Sequence, residues 1–307
     1  MMKSYKDTAR GKNHRGAVLD RKGGYAVIDC STCRFKHVAP LPADKTLAAL
    51  YGAQFYERKP RYFKENKEDS AWWDLAYGDR YDTMEAALPK RRRRILDIGS
   101  GPGFFLLHGK KRGWDTVGVE PSGTAAAYSR KLGLDIVEGF FDKKLAGTLG
   151  TFDAVHMSEV LEHLPDPAGA LALARSLLAP GGILCVSSPN DYNPIQQTLR
   201  SVEKYKPWWV TPPLHLNYFS VQSLAALMKR AGFDVFLQEA SFPIDLFLLM
   251  GDNYVHDDAL GRACHAKRKR LELAFAAAGR NGLRRELYRA CAGLGLGRDC
   301  LVFGKRR

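Results

Sequence analysis

Apolar positions follow two periods along this chain. From Ile95 onward, short runs rich in β-branched residues alternate with stretches whose apolar positions recur every three or four residues. The runs predict strands at 94–99, 116–120, 135–139, 152–158, 182–189, 234–240 and 300–306. Between them, "GFFLLHGKKRG", "SGTAAAYSRKLG" and "LALARSLLAPGG" each end at glycine, and "SVQSLAALMKRAGF" opens on a serine suited to cap a helix. Strand and helix in alternation predict an α/β fold with a doubly wound, mainly parallel seven-stranded sheet. Ligands of such sheets lie at the carboxyl ends of the strands.

Two segments break the rhythm. Residues 1–88 form an accessory segment that holds a Cys-x2-Cys hairpin, "YAVIDCSTCRFKHV", and then aromatic-rich helical stretches in which Trp72, Trp73 and Tyr77 are expected to pack. Residues 241–296 read as a helical insertion before the last strand. The core is left at 89–240, with its last strand at 297–307.

Composition narrows the class. With 307 residues, 45% of them hydrophobic and 26% charged, the chain can bury one sizeable core plus appendages. No apolar run approaches the roughly 20 residues of a membrane span, and the start "MMKSYKDTARGKNHRG" lacks a secretory apolar stretch, so a cytoplasmic protein is expected. The six cysteines are too few and too scattered for a disulfide scaffold, and reduced thiols are expected. The net charge of +14 is concentrated at the ends: residues 1–37 carry nine Lys/Arg against three acids, and residues 262–307 thirteen against three. The middle is near neutral, so a central site does not inherit a positive groove, and the basic ends read as solvated faces.

The chemistry concentrates in "RRRRILDIGSGPGFFLLHGKKRGWDTVGVE", residues 91–120. Phe104 stands where a dinucleotide fingerprint needs its third glycine, and no Gly-Lys-Ser/Thr follows as in a phosphate loop. The loop Gly99 to Gly103 instead reads as a rigid shelf, stiffened by Pro102. Asp97 at its edge suits an ammonium group, and Glu120, closing the second strand, suits two ribose hydroxyls. One acid for an amine and one for a ribose describe S-adenosylmethionine. The four arginines read as a solvated run entering the strand, with Arg94 pairing locally.

At these residues the chain resembles the class I S-adenosylmethionine-dependent methyltransferases, which are Rossmann-like. The resemblance rests on "ILDIGSGPGFFL", "VGVEPS", "FDAVHMSEVLEHLPDP" and "LLAPGGILCVSSPN", four blocks in the family's order and spacing. It implies that Asp97, Gly99, Ser100, Gly101 and Gly103 line the methionine end, that Glu120 holds the ribose, and that Met157 and Ser158 face the sulfonium. Many relatives place an Asp after the third strand to bind adenine. Here Phe140 and Phe141 stand there, so backbone groups and aromatic contact are expected to hold the base, with Asp142 as a substitute.

The activity implied is methyl transfer to a small-molecule or saccharide acceptor, at oxygen or carbon. An acceptor that must lose a proton needs a base, and two histidines are candidates: His215 in "TPPLHLNYFS" and His163 in "SEVLEHLPDP", with His215 favoured. The "HLNYFS" block resembles the sugar C-methyltransferases, which carry an N-terminal zinc domain, while "SEVLEHLPDP" is shared with quinone-biosynthesis O-methyltransferases. A single pair, Cys30 and Cys33, with His37 and more remotely His14 for company, is read as a metal-free remnant, and no metal is expected. Two alternatives remain: a nucleic-acid methyltransferase, whose Asn/Asp-Pro-Pro-Tyr/Phe block is absent after the fourth strand, and a catalytically silent regulator that binds the cofactor. Nucleic acid is not an expected partner.

Overall fold

A computed structural model describes residues 2–7, 12–43, 46–47, 62–91 and 93–307. Residues 48–61, part of the aromatic-rich stretch after the hairpin, lie outside the described residues, as does Arg92. The chain divides into two compact units. One comprises Met1–Leu41, Ser187–Leu227 and Leu237–Val302; the other comprises Pro42–Val186, Met228–Phe236 and Phe303–Arg307.

The strands are, in chain order, β1 (Met2–Asp7), β2 (Lys12–Lys22), β3 (Tyr25–Cys30), β4 (Phe35–Ala39), β5 (Arg94–Ile98) and β6 (Asp115–Glu120). Then follow β7 (Asp135–Glu138), β8 (Phe152–Ser158), β9 (Leu178–Pro189), β10 (Asn217–Tyr218), β11 (Phe233–Ala240) and β12 (Asp299–Arg306). The seven-stranded sheet has the order β11-β12-β9-β8-β5-β6-β7. Its strands fall where the alternating pattern predicts them; β9 starts earlier, at Leu178. Parallel pairing joins β5 to β6, β5 to β8 and β6 to β7. The chain therefore runs outward from β5 on one side and returns to its other side at β8. A reversal of this kind opens a crevice at the carboxyl ends of the two strands.

Strand β5 shows why the core forms here. Ile95 and Leu96 are fully buried, and Ala154 and Val155 of β8 and Val117 and Val119 of β6 are buried beside them. Buried on both faces, these strands read as near-continuous apolar runs. Among the described residues, the helices α1 (Tyr62–Glu68) and α2 (Ser70–Ala87) precede the sheet. Next come α3 (Phe104–Lys111), α4 (Gly123–Lys131), α5 (Lys143–Ala146) and α6 (Pro167–Leu177). The Ser122 side chain caps α4 by accepting from the Ala125 N–H, and Asp166 caps α6 from Gly169.

Helix α2 is seated on α3 by a close approach. Tyr81 stacks on Phe105, ring centroids 4.7 Å apart, and its hydroxyl donates to the Phe105 carbonyl at 3.2 Å. Gly109 makes room: a Cβ there would lie 2.1 Å from the Tyr81 hydroxyl. At the other end, Arg112 holds Asp82 at 2.6 Å and Glu85 at 2.7 Å. Chiefly through Arg112, the Glu85 carboxyl is held below its ordinary pKa.

The arginine run that enters β5 is more engaged than a solvated run. Arg94 lies over the Phe152 ring at 4.4 Å and pairs with Asp115 at 3.2 Å, in keeping with local pairing. Arg91 ion-pairs with Asp153, and Arg93 donates to the Pro89 carbonyl at 3.0 Å and lies over Trp114. The reason is local: β5 begins beside acids and aromatic rings that accept cations.

In the first unit, β1-β2-β3-β4-β10 make an antiparallel sheet. Its helices are α7 (Pro194–Ser201), α9 (Leu246–Leu249), α10 (Asp258–Ala277) and α11 (Asn281–Gly293), together with most of α8 (Val221–Arg230). Ser220 caps α8, accepting from the Ser223 N–H while its own N–H donates to the Ser223 hydroxyl. Among the described residues, no helix is long and apolar enough to cross a membrane.

Candidate functional site

The carboxyl ends of β5, β6 and β8 surround a cavity of about 290 Å³ in the second unit. That volume sits near the lower bound of roughly 300 Å³ for small-molecule sites. Its floor is the loop after β5. Gly99 has φ 73, and a Cβ there would lie 2.5 Å from Val160 Cγ2, so both the left-handed backbone and the packing demand glycine. The turn lets the loop fold back on β6, where the Gly99 and Ser100 N–H groups donate to the Val119 carbonyl at 2.8 and 3.1 Å.

Glu120 closes this arrangement. Its Oε2 accepts from the Gly101 N–H at 2.8 Å and its Oε1 from the Ser122 N–H at 2.9 Å. The carboxyl is therefore fixed against the loop, with lone pairs left over toward the cavity. Burial pushes its pKa up to about 7, against the two N–H donors, and the neighbouring Asp97 adds to the rise.

Strand alternation sorts the residues of β8. His156 and Ser158 line the cavity. Met157, expected at the sulfonium, turns to the opposite face; it is fully buried at the register of Ile98 and is not among the described lining residues. The His156 Nδ1–H donates to Asp97 Oδ1 at 2.7 Å, and its Nε2 accepts from Arg80 at 2.8 Å. Burial lowers the His156 pKa, which keeps the ring neutral with one donor and one acceptor, as these two bonds require. Arg80 also reaches the Ser158 hydroxyl at 3.3 Å.

Asp97, Gly99, Ser100, Gly101, Glu120 and Ser158 thus meet at one cavity, joined by Phe140, Phe141 and His163. Gly103 is the residue before α3, with φ 76, at the far end of the loop. Phe140 is half exposed beyond β7. Asp142 is occupied otherwise: its Oδ1 accepts from the Leu145 N–H at 2.8 Å and starts α5. His163 Nε2 stands 3.7 Å from Glu162 Oε1.

His215 belongs to the first unit. There the Tyr218 hydroxyl donates to its carbonyl at 3.2 Å. In the same unit Trp208 packs against Ile195, Leu199 and Leu248, and Trp209 is buried beside Tyr192. Both tryptophans act as packing residues.

One wall of the cavity was not legible as a site. Trp73, Tyr77 and Arg80 of α2 and Asn66 of α1 line it, although Trp73 and Tyr77 read as packing residues in the sequence. Trp73 stacks on Tyr77 at 5.3 Å, and Tyr77 meets Phe105 edge-on at 5.5 Å. The spacing 73, 77, 80 puts all three on one helix face, a signal the sequence did carry. Trp72 is the one that packs; it is buried.

Residues 71–238, more than half of the chain, match the family model described as a methyltransferase domain. The chain belongs to this family, of the class I S-adenosylmethionine-dependent kind. Among curated relatives of this methyltransferase-family chain, the ubiquinone biosynthesis O-methyltransferase of Caulobacter sp. strain K31 is 33% identical over 130 residues, which is 40% of this chain and 51% of that protein. The enzyme of the same description from Methylococcus capsulatus is 32% identical over 136 residues, 39% of this chain and 56% of that one. The chain therefore spans about half the length of the curated relatives it matches. A chain from the complex between the Haloferax volcanii Trm112 methyltransferase activator and a methyltransferase superposes with TM-score 0.52 at 17% identity, over 81% of this chain and 95% of that chain. A SAM-dependent methyltransferase from Archaeoglobus fulgidus does so with TM-score 0.50 at 19% identity, over 80% and 99%. At these identities the likeness is one of fold.

The cavity fits the family's cofactor on its own chemistry. The buried carboxyls of Asp97 and Glu120 flank a loop in which the backbone of Gly99 leaves no room for a side chain, and the rings of Phe140 and Phe141 line the same cavity.

Proposed function

We propose that this chain transfers a methyl group from S-adenosylmethionine to a small-molecule or saccharide acceptor, at oxygen or carbon. The observation that carries the reading is Glu120, held by the Gly101 and Ser122 N–H groups so that its remaining lone pairs meet a ligand lying on the glycine loop. S-adenosylmethionine, when bound, supplies a methyl already activated by the sulfonium.

The chain's own work is then orientation, which can account for about 7 to 11 kcal/mol of a barrier. Glu120 accepts from the ribose hydroxyls. Asp97, oriented by His156, faces the amino group and holds it by charge. Arg80 keeps His156 in the tautomer that this requires. Phe140 and Phe141 give the adenine an apolar seat. Trp73 and Tyr77 exclude water from the side on which an acceptor is expected, and a sugar or aromatic ring stacks well on such faces.

An oxygen or carbon acceptor must lose a proton. His163 lines the cavity and has a carboxylate beside it to stabilise the imidazolium, so it is one acceptor of that proton. His215 is the other. Replacing each by Ala separates them: the base variant loses about 10² to 10⁴ in turnover and the acid limb of its pH profile, while cofactor affinity stays. The direct test of the function is a search for molecules in a bacterial extract that gain a labelled methyl when the protein is added. A labelled phenol or nucleotide-sugar supports the reading, labelled RNA or DNA replaces it with nucleic-acid methylation, and a cofactor-binding protein that labels nothing is a silent one.

A further inference from the structure

We infer that His14, Cys30, Cys33 and His37 form a structural zinc site in the first unit. One ligand atom from each of the four lies within 4.8 Å of all the others. Two of the separations are close to the edge of a zinc tetrahedron: His14 Nδ1 is 3.5 Å from Cys30 Sγ and 3.3 Å from Cys33 Sγ. Bonds of about 2.3 Å to sulfur and 2.1 Å to nitrogen give an edge of about 3.6 Å.

The local fold is built to make this cluster. Strand β3 ends at Cys30, and the chain turns so tightly that the Arg34 N–H reaches the Cys30 carbonyl at 2.8 Å, with Arg34 at φ 62. Within the turn, the Cys33 N–H donates to Cys30 Sγ at 3.4 Å, and a donor of this kind stabilises a metal thiolate. His37 enters from β4. Its Nδ1–H donates to the Val38 carbonyl at 2.8 Å, which puts the lone pair on Nε2, the tautomer a ligating histidine adopts. His14 is brought in by the sheet: the pairing of Gly16 with Cys30 lays β2 alongside the turn. The two imidazole rings meet edge-on with centroids 4.8 Å apart.

His14, Cys30 and His37 are each 1% exposed, in a sheet too small to supply much core of its own. Two thiolates and two imidazoles in a closed tetrahedron select zinc over metals that prefer carboxylate or square-planar surroundings. The sequence reading names His37 and His14 beside the Cys-x2-Cys pair but expects no metal, because the strand pairing that brings both histidines to the sulfurs is invisible in residue spacing. A disulfide is the rival state of the pair, but it gives no reason for both histidines to converge on the sulfurs, and Cys30 and Cys33 are not joined by one here.

The site has a structural consequence within the same unit. Strand β4 pairs with β10, His37 opposite Asn217, and the Val38 N–H donates to the Leu216 carbonyl at 2.9 Å. Removing zinc is therefore expected to raise hydrogen exchange at Val38 and along Leu216 to Tyr218.

The test is metal analysis of the full-length protein, purified without a metal-affinity tag from zinc-supplemented medium. About one zinc per chain is expected, lost in the Cys30→Ser/Cys33→Ser variant and kept in Cys291→Ser. Because the double variant risks misfolding, cobalt exchange into the unmodified protein gives a second readout. Strong visible bands of tetrahedral cobalt with thiolate charge transfer are expected, and His37→Cys should keep the metal while intensifying the charge-transfer band. Less than about a tenth of an equivalent of zinc, a weak octahedral cobalt spectrum, or metal that persists in the double cysteine variant each overturns the site. No readout here involves the methyl donor, so its failure leaves the proposed activity standing.

Discussion

The Nδ1–H of His156 donates to Asp97 Oδ1 across 2.7 Å, with both side chains buried beneath the glycine loop. Asp97 lines the cavity, whereas His156 comes from the next strand over and fixes how the carboxylate faces. Replacing His156 by Phe keeps a ring against Phe105, which it stacks on at 3.8 Å, but strands Asp97 and Arg80. A loss of about 1.5 to 3 kcal/mol in folding stability is expected at neutral pH, read by urea unfolding.

The same histidine gives a pH dependence. Burial lowers its pKa, and this outweighs the Asp97 contribution, which raises it. Below about pH 6.5 the unfolded chain binds a proton that the folded chain refuses, so stability falls on acidification by up to about 1.4 kcal/mol per pH unit. Unfolding curves at about pH 7.5 and 5.5 should show this acid loss shrinking in His156→Phe.

Glu120 has the opposite sign. Its pKa is raised to about 7, so between its ordinary value and that pH the folded state holds a proton that the unfolded state releases. Folding stability contributed by this group declines as pH rises through the window, and Glu120→Gln should be the more stable protein above it. A ribose diol needs the carboxylate, so cofactor binding should expel the proton. Calorimetry at about pH 6 in two buffers of different ionisation enthalpy should register release, and affinity should rise up to about tenfold per pH unit toward 7.

Much of the fold was legible because parallel strands buried on both faces write continuous apolar runs, as at Ile95 to Ile98 and Phe152 to Met157. The cavity floor was legible too, since the left-handed turn at Gly99 and the acid at Glu120 are backbone and charge requirements that only certain residues meet. The reading fails where side chains are paired through tertiary structure. Met157 and His156 are adjacent, and only strand alternation decides which faces the cavity. Trp73 and Tyr77 look like any packing aromatics until Tyr81 and Gly109 dock their helix over the loop.

That docking makes its own prediction. In Gly109→Ala the new Cβ collides with Tyr81, so α2 must shift and carry Trp73, Tyr77 and Arg80 with it. Overpacking of this kind costs about 1 to 3 kcal/mol, and here cofactor affinity should fall together with stability although residue 109 touches no ligand. Tryptophan fluorescence titrations of the variant check it. A Gly109→Ala protein with unaltered affinity would show that α2 does not wall the cavity.

The glycine at position 99 is tested the same way. Gly99→Ala requires a residue at φ 73 with its Cβ against Val160 Cγ2, so a loss of at least about 1 kcal/mol and a displaced loop are expected. Thermal unfolding with and without cofactor should show the ligand-induced stabilisation disappear.

The most direct measurement is a calorimetric titration of S-adenosylmethionine into the wild-type protein and into Glu120→Ala at about pH 8. Saturable binding by the wild type, weakened by at least about 100-fold in the variant, is expected from the loss of charge-assisted hydrogen bonds to the ribose. A folded wild type that takes up no cofactor, or a variant that binds it as well as the wild type, would contradict the assignment of this cavity.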